Sequence, residues 1–184
     1  MKNKNLSIRG MVYASMFGAA TAVGAYVMIP LPPVPITLQT IFLSLAAALL
    51  GGIYGALSQV IYVLMGLMGL PVFAGGKAGF GVLFGPTGGY LIGFIAGAYV
   101  IGKMISMKTE PGFLWTALSM FTGTLVIYFI GVLQLSFIAD LSIAKSISLG
   151  VLPFLIGDMI KMIVATILFL KLRDKINLKG IKYD

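Results

Sequence analysis

From Gly10 to Gly76 the chain runs for 67 residues without one Asp, Glu, Lys or Arg. A spanning helix needs about 20 apolar residues, so this stretch is too long for one membrane crossing and suits three. Composition excludes the soluble alternative: 59% of the 184 residues are hydrophobic and 10% are charged, where a soluble domain carries about 25% charged residues. Lipid is therefore the solvent. The chain also has no Cys and no His. That removes disulfides, thiolate and imidazole metal sites, and catalysis that depends on either side chain, so no metal, cofactor or catalytic residue is expected.

Proline and glycine divide the uncharged stretch. Pro30, Pro32, Pro33 and Pro35 exclude a helix interior, and Gly51-Gly52 offers a tight turn. The predicted spans lie near 11–29, 36–51 and 53–70, the last two forming a close antiparallel pair. Further spans are predicted near 86–105, opened by Pro86-Thr87-Gly88-Gly89, near 112–134, and near 150–171, with Pro153 close to its first turn. The expected architecture is an all-α membrane protein, one integral-membrane domain over 1–184 with six transmembrane helices. Lys2, Lys4 and Arg9 before an apolar run also fit a secretory leader, but five later spans argue against that.

Six crossings put both termini on one side. With the termini cytoplasmic, Lys2, Lys4, Arg9, Lys103, Lys108, Lys171, Arg173, Lys175, Lys179 and Lys182 lie inside, and only Lys77 and Lys145 lie in outer loops. The net charge of +8 is then a positive-inside signal and needs no nucleic-acid partner.

The sixth span alone holds charges within the membrane, Asp158 and Lys161. Three residues apart on a helix, they share a face and pair, which lowers the cost of burial. An intramembrane charge is by default a functional site. Lys161 stands about 15 Å from Lys171 at 1.5 Å per residue, too deep to reach the inner surface easily. The alternative is an ion pair that only locks the sixth helix. On the outer side, Thr37 and Gln39 open the second span, and Phe73-Ala74-Gly75-Gly76-Lys77 begins a loop too glycine-rich for an ordinary helix. Its backbone amides need water, protein or a ligand. Nucleotide motifs fail here: Lys77 is followed by Ala78, and Pro71 stands where a phosphate loop needs glycine. In the first span Ala14, Gly18 and Ala22 recur every four residues, a smooth stripe that suits either internal packing or a partner helix.

Four segments carry a resemblance. VPITLQT at 34–40, GLPVFAGG at 69–76, GPTGGYLIGF at 85–94 and IGDMIK at 156–161 resemble, in order and spacing, the BioY family of biotin-specific S components of energy-coupling factor vitamin importers. Ala78 departs from the pattern, standing where many members continue with glycine. The resemblance implies an S-component-like bundle in the plasma membrane of a bacterium or archaeon, binding biotin from outside. It further implies a transmembrane coupling subunit and two cytoplasmic ATPases as partners. By motif, ligand contacts are expected at Asp158, Lys161, Tyr90, Thr37, Gln39, Phe73, Gly75, Gly76 and Lys77, and the coupling subunit at Ala14, Gly18 and Ala22. Biotin offers an apolar bicycle, a ureido group with two N–H donors and a carbonyl, and a carboxylate tail, which an Asp–Lys pair with Gln, Thr and Tyr can satisfy. The competing readings are an S component for another small vitamin, an integral-membrane enzyme and a structural bundle.

Overall fold

The computed structural model describes residues 7–175. Lys2, Lys4, Lys179 and Lys182, four of the basic residues behind the expected placement of the termini, lie outside them. The fold is helical. Helix α1 (Ile8–Tyr26) is capped by Ser7, whose hydroxyl accepts the Gly10 N–H at 3.0 Å. It stops earlier than the predicted 11–29 because Met28–Ile29 (β1) pairs antiparallel with Ile36–Thr37 (β2) around the proline cluster. Proline cannot continue a helix but tolerates a turn between two short strands.

Helix α2 (Gln39–Leu67) doubles back at Gly51, whose φ of 82° and ψ of 177° lie outside helical space. Two contacts prove the reversal. A side chain on Gly55 would meet the Ala47 Cα at 2.6 Å, and Gln39 bonds Tyr62, 23 positions later, whereas a straight helix would part that pair by about 35 Å. A short helix α3 (Phe80–Leu83) then interrupts what reads from sequence as a plain loop, and α4 (Gly88–Ile105) follows. Helix α5 spans Phe113–Ile138, four residues beyond the predicted end at 134. The last predicted span, near 150–171, is a 3₁₀ turn (Leu152–Phe154) containing Pro153 followed by a long helix, and an unpredicted helix, α6 (Ile143–Gly150), precedes it, which makes the long one α7 (Leu155–Leu172).

The most extensive contacts join α4 to α5, α1 to α2 and α2 to α4. Leu43, Leu49, Leu50, Ile101 and Met120 are fully buried between them. Outward, α5 presents Leu114, Leu118, Phe121, Leu125, Phe129 and Leu133, and α7 presents Ile156, Met159, Ile160, Ile163 and Ile167. Apolar stripes of this extent suit lipid and not water. Among the described residues, four helical stretches are long and apolar enough by length and composition to cross a membrane, Gln39–Leu67, Gly88–Ile105, Phe113–Ile138 and Ile143–Leu172, the first folded back at Gly51 and the last interrupted by the 3₁₀ turn.

Candidate ligand-binding site

Where β2, both arms of α2, α4, α5 and α7 come together, a pocket opens with about 800 Å³ of space, its mouth included. The polar groups on its wall form two linked networks. In the first, the Thr37 hydroxyl donates to Gln39 Oε1 at 2.8 Å, the Gln39 amide donates to the Tyr62 hydroxyl, and Tyr62 donates to the Val72 carbonyl at 3.2 Å. In the second, Lys161 pairs with Asp158, and the Tyr128 hydroxyl donates to the other carboxylate oxygen. The Lys161 ammonium joins them by donating to the Thr37 carbonyl at 3.0 Å. The side chains of Lys161 and Asp158 are 10% and 14% exposed, so each charge depends on these partners. Thr40 Oγ1, also on the wall, is buried with no protein partner.

Between these networks the wall is apolar, formed by Val34, Phe73, Leu91, Phe94, Ile127 and Phe154. Phe73 is 1% exposed and meets the Tyr62 ring edge-on, with centroids 5.7 Å apart. A turn follows it, closed by the Gly76 N–H on the Phe73 carbonyl at 3.0 Å. Gly75 and Gly76 hold φ of 75° and 71° there, values that side chains rarely adopt.

Of the residues expected at the ligand, Asp158, Lys161, Tyr90, Thr37, Gln39, Phe73 and Lys77 all reach this one pocket, and Lys77 stays exposed. Two expectations change. Gly75 and Gly76 are not on the wall but shape the turn that presents Phe73 and Lys77. Tyr90 offers its ring, while its hydroxyl donates to the Gly150 carbonyl at 2.9 Å and ties α4 to the end of α6. Tyr62, Tyr128, Thr87, Thr124 and Phe154 were not anticipated. A tyrosine in the middle of an apolar span, away from the membrane interface where tyrosines collect, is the signal that marks Tyr62 and Tyr128.

The small stripe of α1 is also corrected as an exposed partner surface. Ala14, Gly18 and Ala22 are buried, and a side chain on Gly18 would stand 2.9 Å from the Ser58 carbonyl oxygen of α2. Their small size serves the close approach of α1 to α2 within the chain. The face turned outward carries Ser15 and Ala19.

The model of the BioY family matches residues 1–177. The biotin transporter BioY of Thermotoga maritima is 48% identical over 90% of this chain and 96% of its own. The probable biotin transporter BioY of Pyrococcus horikoshii is 38% identical over 91% and 95%, and the biotin transporter BioY2 of Lactococcus lactis is 34% identical over 92% of each chain. A crystal structure at 2.1 Å of the S-component for biotin from an ECF-type ABC transporter superposes with a TM-score of 0.83 at 29% identity, covering 95% of both chains. The chain is a multi-pass membrane protein and belongs to the BioY family.

Proposed function

We propose that this pocket binds biotin from the outer side of the plasma membrane, and that the chain is the substrate-binding subunit of an ECF-type importer. The observation that carries the reading is the convergence of Asp158, Lys161, Thr37, Gln39 and Tyr128 on one apolar pocket in a member of the BioY family. Donors and acceptors of both kinds surround a space for a small ligand. That the relatives are biotin transporters supports biotin over other vitamins, and transport over catalysis.

The orientation follows from desolvation. A buried carboxylate needs a dedicated cation, whereas a neutral ureido group needs only hydrogen-bond partners. Lys161 is already matched by Asp158, while Lys77 is exposed on the pocket wall. The ureido ring therefore sits inward against Asp158, Lys161 and the Thr37–Gln39 network, and the carboxylate lies outward toward Lys77.

As an importer subunit the chain works as a single domain with six crossings and cytoplasmic termini, the two arms of α2 counting separately. Its partners are a transmembrane coupling subunit and two cytoplasmic ATPases. The exposed Ser15/Ala19 face of α1 is the docking surface assigned to the coupling subunit. The direct test is mass spectrometry of small molecules released from gently purified protein, followed by biotin titration calorimetry. Biotin should be recovered and should rebind one per chain; no rebinding would reject the reading.

A further inference from the structure

Gln134 on α5 is not on the pocket wall. Its carboxamide nitrogen nevertheless donates to two main-chain carbonyls of the segment joining α3 to α4, Leu83 at 2.7 Å and Gly85 at 2.9 Å. That segment brings Val82 and Thr87 to the pocket. Helix α3 is held on one side only: Val82 and Leu83 rest half-buried against the core, none of its four residues is fully buried, and a side chain on Gly79 or Gly81 would meet nothing within 4 Å. Phe80 and Phe84 stack on each other yet remain 59% and 70% exposed. One end of the segment is fastened by the Gly79 N–H on the Gly66 carbonyl at 2.8 Å. Gln134 fastens the other.

The surroundings of Gln134 are shaped for this reach. A Cβ on Gly88 would lie 2.6 Å from the Gln134 amide nitrogen and 1.7 Å from the Leu83 oxygen, and one on Gly89 would lie 2.7 Å from the Gln134 Cβ. Gly88-Gly89 therefore leaves a slot through which the side chain passes from α5 to the elbow between α3 and α4. Carbonyls in a non-helical stretch beside an apolar bundle need such donors.

We propose that Gln134 is a positioning residue for ligand capture: it latches the elbow at residues 83–88 against the pocket and sets how often the pocket opens. The inference rests on the reading of this pocket as a biotin site. An open elbow serves entry and exit alike, so loss of the latch raises association and dissociation rates together and moves Kd much less. Two neutral hydrogen bonds correspond to roughly a tenfold change in the open population.

The test uses Gln134→Met in the full chain, which keeps length and removes the donors, with entry and exit of radiolabelled biotin timed by rapid filtration. Both rates should rise roughly tenfold. A second readout places Val82→Cys in this cysteine-free chain and times labelling by a water-soluble maleimide, which should accelerate when Gln134→Met is added. A folded Gln134→Met protein with parental rates and parental labelling would overturn the latch. If Gln134→Met does not fold, hydrogen exchange on the parent decides: amides of 79–87 should exchange faster than those of α4 and slow when biotin is added, and no slowing overturns the proposal. A parent that never binds biotin would instead reject the functional reading, and the labelling comparison would then judge the latch alone.

Discussion

Lys161 on α7 donates to the main-chain carbonyl of Thr37, 124 positions earlier in the chain, at 3.0 Å. The same ammonium pairs with Asp158, which accepts from Tyr128 on α5. A deep cation thus ties three distant elements together, and its removal frees more than one partner.

Single and double replacements of this pair separate a structural lock from a ligand contact. Asp158→Asn or Lys161→Met alone leaves an unmatched buried charge and should destabilise by about 3–5 kcal/mol. The double replacement should recover much of that stability. Biotin affinity should remain down on the order of a hundredfold, because charge-assisted bonds to the ligand, about 1.5–3 kcal/mol each, do not return. Calorimetry beside thermal unfolding measures both, and a folded double mutant that binds like the parent would leave the pair as a lock only.

Lys77→Met should weaken biotin at most about fivefold, since exposed ion pairs contribute only about 0–1 kcal/mol. The effect should shrink in high salt. Biotin methyl ester, which lacks the charge, should bind parent and Lys77→Met equally; a fivefold difference for the ester would place the carboxylate elsewhere.

The two faces of α1 should behave oppositely. Gly18→Trp forces bulk against the Ser58 carbonyl of α2 and should unfold the protein or abolish biotin binding. Ala19→Trp lies on the outward face and should spare binding while blocking co-purification of the coupling subunit. Retained co-purification would move the docking surface off this face.

Gly51→Ala should cost about 1–3 kcal/mol, because a φ of 82° with ψ of 177° is a region essentially reserved for glycine. Gly157→Ala, in the α7 helix with nothing within 4 Å of the added carbon, is the matched control and should be neutral or slightly stabilising. Equal melting temperatures for the two would contradict the strained reversal.

Single cysteines at Ala78 and Thr109 test orientation in intact cells with an impermeant thiol reagent. Labelling is expected at 78 alone, as the distribution of basic residues implies. Labelling at 109 alone would invert the topology.

Helical spans were legible because hydrocarbon imposes a minimum apolar length and because proline and glycine punctuate it. The turn at Gly51 belongs to that class. Helices α3 and α6 did not stand out, since pieces of four and eight residues carry no periodic signal of their own and form where neighbouring helices support them. Among the residues lining the candidate pocket, Asp158, Lys161, Gln39 and Thr37 were readable because a polar group in lipid is costly. Tyr62 and Tyr128 were missed because an apolar ring masks the hydroxyl, and only packing aims that hydroxyl at Gln39 or Asp158.

The chain's own residue order determined that it must live in lipid, roughly where its long apolar helices lie, and which few polar groups need partners there. Both follow from the transfer cost of individual residues, which depends on local composition. Tertiary structure alone decided that the Ala14/Gly18 face turns toward α2 and not outward, and that Tyr90 spends its hydroxyl on Gly150. It alone joined Lys161 to Thr37. Spacing along a helix defines a face but not what that face meets, because its neighbour is set by packing among segments far apart in the chain.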